Sequence, residues 1–195
     1  MFLPIVAYGD PLLRKKGQEI DKNYPDLDKL LSNMWETMYN SYGVGLAAPQ
    51  VGKNIRLFLI DTAPFAENED FPEEERAFLK TFKRVFINAQ IIEEKGEEWS
   101  FSEGCLSVPN INEEVMRKPV ITITYQDENF DTHRETFSGL AARVIQHEYD
   151  HTEGIIFTDK VSPFKKRLLK RKLEKISKGE INVDYPMRFP KLKRK

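Results

Sequence analysis

The stretch VITITYQDENFDTHRETFSGLAARVIQHEYDH, residues 120–151, carries two different periods in succession. Val120–Gln126 alternates apolar and polar residues, as a half-buried strand does, and residues 130–137 read as its partner strand. Asp127-Glu128-Asn129 between them is turn-forming, so the segment predicts an antiparallel hairpin. Ser138 can then cap a helix running through Asp150, with Gly154 just past its end. A hairpin that feeds a helix, rather than a strand–helix–strand crossover, points to an α+β fold.

The flanking chain extends this reading. IRLFLID at 55–61 reads as a buried strand, and strands resume over 83–93, turn at Lys95-Gly96 and return over 98–101. Leu27, Leu30, Leu31, Met34, Trp35, Met38 and Tyr42 recur at helical spacing, so 26–42 predicts an N-terminal helix facing the core. Residues 64–80 are acidic, hold two prolines and interrupt two strands; they read as an inserted surface loop with at most one helical turn. Ser162-Pro163 opens a C-terminal helix that Gly179 closes, and MRFPKLKRK looks like a tail. The expected architecture is antiparallel sheets around a central helix, with a helix at either end. Residues 1–162 would form the body, and 163–195 a basic helix and tail.

A chain of 195 residues suits one domain of soluble, globular composition, with hydrophobic residues at 40% and charged residues at 31%. No apolar run approaches a membrane span, and MFLPIVAYGDPLLRKK lacks the basic start of a signal peptide. A single cysteine excludes an intrachain disulfide, so a reducing cytoplasm is the expected compartment. The net charge of −1 conceals a gradient: residues 161–195 balance to +10 and the rest to −11. Such a tail suits either a solvated helix face or contact with a polyanion.

QHEYDH at 146–151 is the strongest chemical signal. His147 and His151 are four apart on the predicted helix, so their Cβ atoms lie about 5–6 Å from one another and can grip one metal ion. Leu140 and Val144 occupy the same stripe, which turns the two imidazoles toward the buried side. Glu148 sits about 100° round the helix, beside the ion, as a general base should. Two imidazoles leave a catalytic site one protein ligand short. Phe157 occupies the position where a metzincin has its third histidine; Glu174 is a helical alternative in a Lys/Arg-dense stretch. Cys105, in EGCLS at 103–107, is the remaining soft donor, and a thiolate with two imidazoles and water makes an open tetrahedral site.

Three segments, GVGLAAPQ at 43–50, EGCLS at 103–107 and QHEYDH at 146–151, match in order the motifs G-x-G-x-A-A-x-Q, E-G-C-x-S and H-E-x-D-H of the peptide deformylases, which the chain resembles from its N-terminus to about Ser162. The resemblance implies that Cys105, His147 and His151 ligate the metal. It makes Glu148 general base to a metal-bound water and then acid to the leaving amine. Gln50 and the Leu106 N–H would form an oxyanion hole, and Gly45 would line the peptide-binding edge. Val44, Leu140 and Val144, each beside a motif residue, are candidate walls for the methionine side chain. The family removes the N-formyl group from nascent chains that begin with formyl-methionine, preferably with Fe(II), although Cys-His₂-water suits zinc and other divalent metals equally. In bacterial members the C-terminal helix docks at the ribosome, which makes 163–178 a candidate contact for rRNA phosphate.

Other positions are less telling. Glu103 and Arg117 could pair and brace the Cys105 loop; Asp150 could orient an imidazole or face solvent. Arg143 reads as a solvent-side residue and His133 as a surface histidine without a partner. Three other functions remain on residue types alone: a zinc endopeptidase, a cysteine-nucleophile enzyme built on Cys105, and an RNA-binding module built on the tail.

Overall fold

The computed structural model describes residues 1–190. Its centre is a five-stranded antiparallel sheet of β2 (Gly45–Ala47), β3 (Leu57–Asp61), β4 (Lys83–Lys95), β7 (Val120–Gln126) and β8 (Thr132–Ser138), hydrogen-bonded in that order. β5 (Trp99–Cys105) and β6 (Val108–Arg117) form a separate hairpin, and β1 (Ile5–Val6) pairs in parallel with β9 (Met187–Arg188). The helices are α1 (Leu27–Asn40), α2 (Glu73–Thr81), α3 (Gly139–Thr152) and α4 (Pro163–Lys178). The fold is α+β, as the hairpin-then-helix pattern predicts.

Strand alternation explains the layering. Leu57 and Leu59 of β3 point into the core that α1 covers with Leu30, Leu31, Met34 and Met38. Phe58 and Ile60 point the other way, where α3 packs Leu140, Ala141, Val144 and Ile145 against the sheet. The ring of Phe58 stacks on Phe86 with centroids 4.7 Å apart. Burying each such side chain contributes about 1.5–3 kcal/mol. A third cluster joins Val108, Ile111 and Val115 of β6 to Leu169, Leu173 and Ile176 of α4. α3 therefore lies buried between the sheet and the β5–β6 hairpin.

Two segments differ from expectation, and two more take a form the sequence pattern does not predict. Residues 64–80 are no bare loop: a 3₁₀ turn at Ala63–Glu67 leads into α2, whose Leu79 is fully buried. Pro72 stands at its N-cap, and three glutamates occupy the first turn, where the helix dipole favours them. Polar β6 offers little apolar alternation and escapes a period-based reading. GVGLAAPQ resolves into the short strand β2 and a 3₁₀ turn, Ala48–Val51. The expected tail contains β9, whose two residues pair with Ile5 and Val6; residues 191–195 lie outside those described.

Candidate active site and metal centre

Cys105 ends β5, beside a register shift in the hairpin. His147 and His151 stand one turn apart on α3, their rings 5.2 Å between centroids. The hairpin and helix bring one ligand atom from each of the three residues within 4.8 Å of one another. The Cys105 Sγ lies 3.3 Å from His151 Nε2. His147 Nδ1 is hydrogen-bonded to Glu103 Oε2 at 2.9 Å, leaving Nε2 for an ion. A soft thiolate and two imidazoles fit a single divalent transition metal.

Glu103 has all its lone pairs engaged. Arg117 donates Nε to Oε1 at 2.7 Å and Nη2 to Oε2 at 2.9 Å; Arg143 donates Nη1 to Oε1 at 3.0 Å. Burial works against the Glu103 anion, but His147 and Arg117 outweigh it and hold the carboxyl well below the usual range. Arg117 also donates to Asp150 Oδ2 at 2.6 Å, so Asp150 faces neither solvent nor an imidazole. Arg143 is not a solvent-side residue. It is 2% exposed, bonds the Val115 carbonyl at 2.9 Å and the Trp99 carbonyl at 2.7 Å, and lies over the Trp99 ring. Because α3 is buried on nearly every side, a guanidinium there persists only when partners meet it.

Glu148 is buried, and its Oε2 has no hydrogen-bond partner among the described residues. Burial pushes its carboxyl up to about 7. A proton acceptor so placed is poised for general-base work near neutrality. Gly45 explains how it fits: a Cβ there would meet Glu148 Oε1 at 2.5 Å. Gln50, 1% exposed, accepts from the Ala47 N–H at 2.8 Å through Oε1. That turns its Nε2 toward Cys105 Sγ at 3.5 Å and Ser107 Oγ at 3.4 Å, so the donor end faces the Cys105 sulfur.

A cavity of about 580 Å³ opens on this group. Val44, Gly45, Gln50, Leu106, Val144, His147 and Glu148 line it with Cys105. Leu140 does not; it is fully buried in the core between α3 and the sheet. Sequence reasoning missed several walls: Phe65 from the 3₁₀ turn of the insertion, Phe101, Val108, Arg143 and Tyr185. The alternation of Trp99, Ser100, Phe101 and Ser102 in β5 was the available signal for Phe101; Val108, at the start of the more polar β6, had none. His133 lies apart from the cavity and does have a partner, with Nε2 2.8 Å from Asp127 Oδ2 across the hairpin turn.

A Cys-His-His cluster, a buried carboxylate without a partner and an amide donor around one apolar-walled cavity define a metal-dependent hydrolase of amide-like bonds. A family model for polypeptide deformylase matches residues 2–167. A peptide deformylase of Christiangramia forsetii is 65% identical over 100% of this chain and 99% of its own length. One from Flavobacterium johnsoniae is 58% identical with the same coverage. Among solved structures, the Legionella pneumophila enzyme superposes with a TM-score of 0.77 at 34% identity, covering 92% of this chain and 98% of its own. The Thermotoga maritima enzyme gives 0.71 at 37%, covering 84% and 99%. The chain belongs to the polypeptide deformylase family. It is a metal-dependent hydrolase that removes the N-formyl group from nascent peptides.

Proposed function

We propose that Cys105, His147 and His151 hold one divalent metal, Fe(II) in the cell, and that Glu148, Gln50 and Leu106 carry out the hydrolysis. The convergence of the three donor atoms within 4.8 Å beside the unpartnered carboxylate of Glu148 carries this reading. When bound, the metal supplies Lewis acidity and lowers the pKa of water toward ~7. Glu103 keeps the His147 Nδ1 proton pointed away from the ion and its Nε2 lone pair toward it. Glu148 takes a proton from the attacking water and returns it to the amine nitrogen as the formyl C–N bond breaks, leaving formate and a free N-terminus. The Gln50 Nε2 and Leu106 N–H meet the oxyanion, each such donor contributing on the order of 2.7–4 kcal/mol. Gly45 and Val44 flank the peptide, and Val144 walls the methionine pocket from α3. Leu140, first expected as a wall, supports this pocket from the core.

The test is formate release from formyl-Met-Ala by anaerobically purified protein, with metal analysis of the same sample. Glu148→Ala should keep its metal and lose turnover; persistent turnover rejects the general-base role. Formate release without cleavage of internal peptide bonds separates this reading from an endopeptidase. Loss of activity on chelation separates it from a cysteine-nucleophile enzyme.

The enzyme works in the cytoplasm, where formylated nascent chains emerge. Among the described residues no helix is long and apolar enough to cross a membrane. The exposed cations of α4, Arg171, Lys172 and Lys175 among them, suit contact with rRNA phosphate. Reversing those three charges should weaken ribosome co-sedimentation at low salt; unchanged binding overturns the contact.

A further inference from the structure

Beyond the family-matched span of 2–167 the chain crosses the reaction cavity again, lining it with Val183, Asp184 and Tyr185. The Tyr185 hydroxyl donates to the Leu106 carbonyl at 2.9 Å. Leu106 and Ser107 make the two-residue turn between β5 and β6, which closes on the Cys105–Val108 pair. Both carbonyls of that turn are held from outside the hairpin. Ser107 accepts from the Tyr8 N–H at 2.8 Å, and Leu106 accepts from Tyr185. The segment bearing Tyr185 is itself anchored, because the Ile5 N–H donates to Pro186 and the Ala7 N–H to Arg188, both at 2.9 Å. A phenol ordinarily keeps its proton to about pH 10, so the hydroxyl is a donor at working pH.

We infer that Tyr185 is a positioning residue for deformylation: by fixing the Leu106 carbonyl it holds the Leu106 N–H on the oxyanion. This rests on the reading of that N–H as an oxyanion donor. The N–H and carbonyl belong to one residue. With Cys105 anchored on one side and the carbonyl on the other, Leu106 has little freedom to rotate its N–H away. Donors held in place before reaction need no reorganisation during it, which is the source of their effect.

Tyr185→Phe keeps the ring and removes the one hydroxyl. With formyl-Met-Ala, kcat should fall about tenfold, part of the loss expected for deleting a whole donor, while KM, metal content and melting temperature hold. Amide hydrogen exchange at the Leu106–Ser107 turn should rise in the same variant, with the α3 amides unchanged. Wild-type kcat, a rise in KM alone, a fall in kcat accompanied by metal loss or unfolding, or unchanged exchange at the turn would each overturn the role. If the wild-type protein itself releases no formate, the hydrolytic mechanism fails first. If it does and Tyr185→Phe matches it, only the positioning role is lost.

Discussion

A methyl group on Gly45 would stand 2.5 Å from Glu148 Oε1 and 2.7 Å from its Cγ. Gly45→Ala should therefore displace the Glu148 carboxylate while leaving Cys105, His147 and His151 in place; if Glu148 is the general base, kcat falls at least tenfold with full metal content. Glu148 also predicts a pH effect on the metal-free protein. Its folded carboxyl is raised from 4.5 to about 7 by burial, so the folded state binds the proton more tightly than the unfolded chain. Stability from this group is present below the unfolded value and is lost as pH rises through the folded one, amounting to about 3 kcal/mol. Glu148→Gln should flatten the fall in melting temperature between pH 4.5 and 7 and melt higher than wild type at pH 8. Gln50→Ala should lower kcat by on the order of 10²–10³. The cluster of candidate site residues is legible because its chemistry is tied to residue type and spacing: two imidazoles four apart, one cysteine. Arg143 is not, because its burial depends on Glu103, 40 positions away on another element.

Among elements, α3 is the one that carries His147, Glu148 and His151, yet its own cap is incomplete. Ser138 makes no side-chain bond to the first turn. The Leu140 N–H is met instead by Glu75 Oε1 at 3.0 Å, from α2 of the acidic insertion. Glu75→Ala should cost about 1 kcal/mol, a drop of roughly 2–4 °C in melting temperature for a chain of this size; thermal denaturation of the metal-loaded variant checks it. Neither α2 nor its capping role was readable: two prolines and a run of acids look like a loop until the first-turn position of the glutamates is known. α1 and the β7–β8 hairpin were legible because Leu30, Met34 and Met38, or Ile121 and Ile123, repeat the period of their element. β9 has two residues and no period to show.

At the scale of the whole molecule, a metal held by Cys105, His147 and His151 as proposed would tie the β5–β6 hairpin to α3. An ion that binds only the folded protein stabilises it by about 2.7 kcal/mol at a hundredfold excess over Kd. Chelation should lower the melting temperature, and restored metal should raise it in proportion to the logarithm of its concentration. Cys105→Ala should lose most of that response. The order of the sheet and the meeting of the chain's first and last strands depend on pairings far apart in sequence, for which a single chain gives no signal. That meeting has a consequence for biogenesis. A copy still under synthesis lacks one wall of its cleft until residues 182–188 have been translated and have annealed to β1, so a body made only as far as α4 would still present an open cleft.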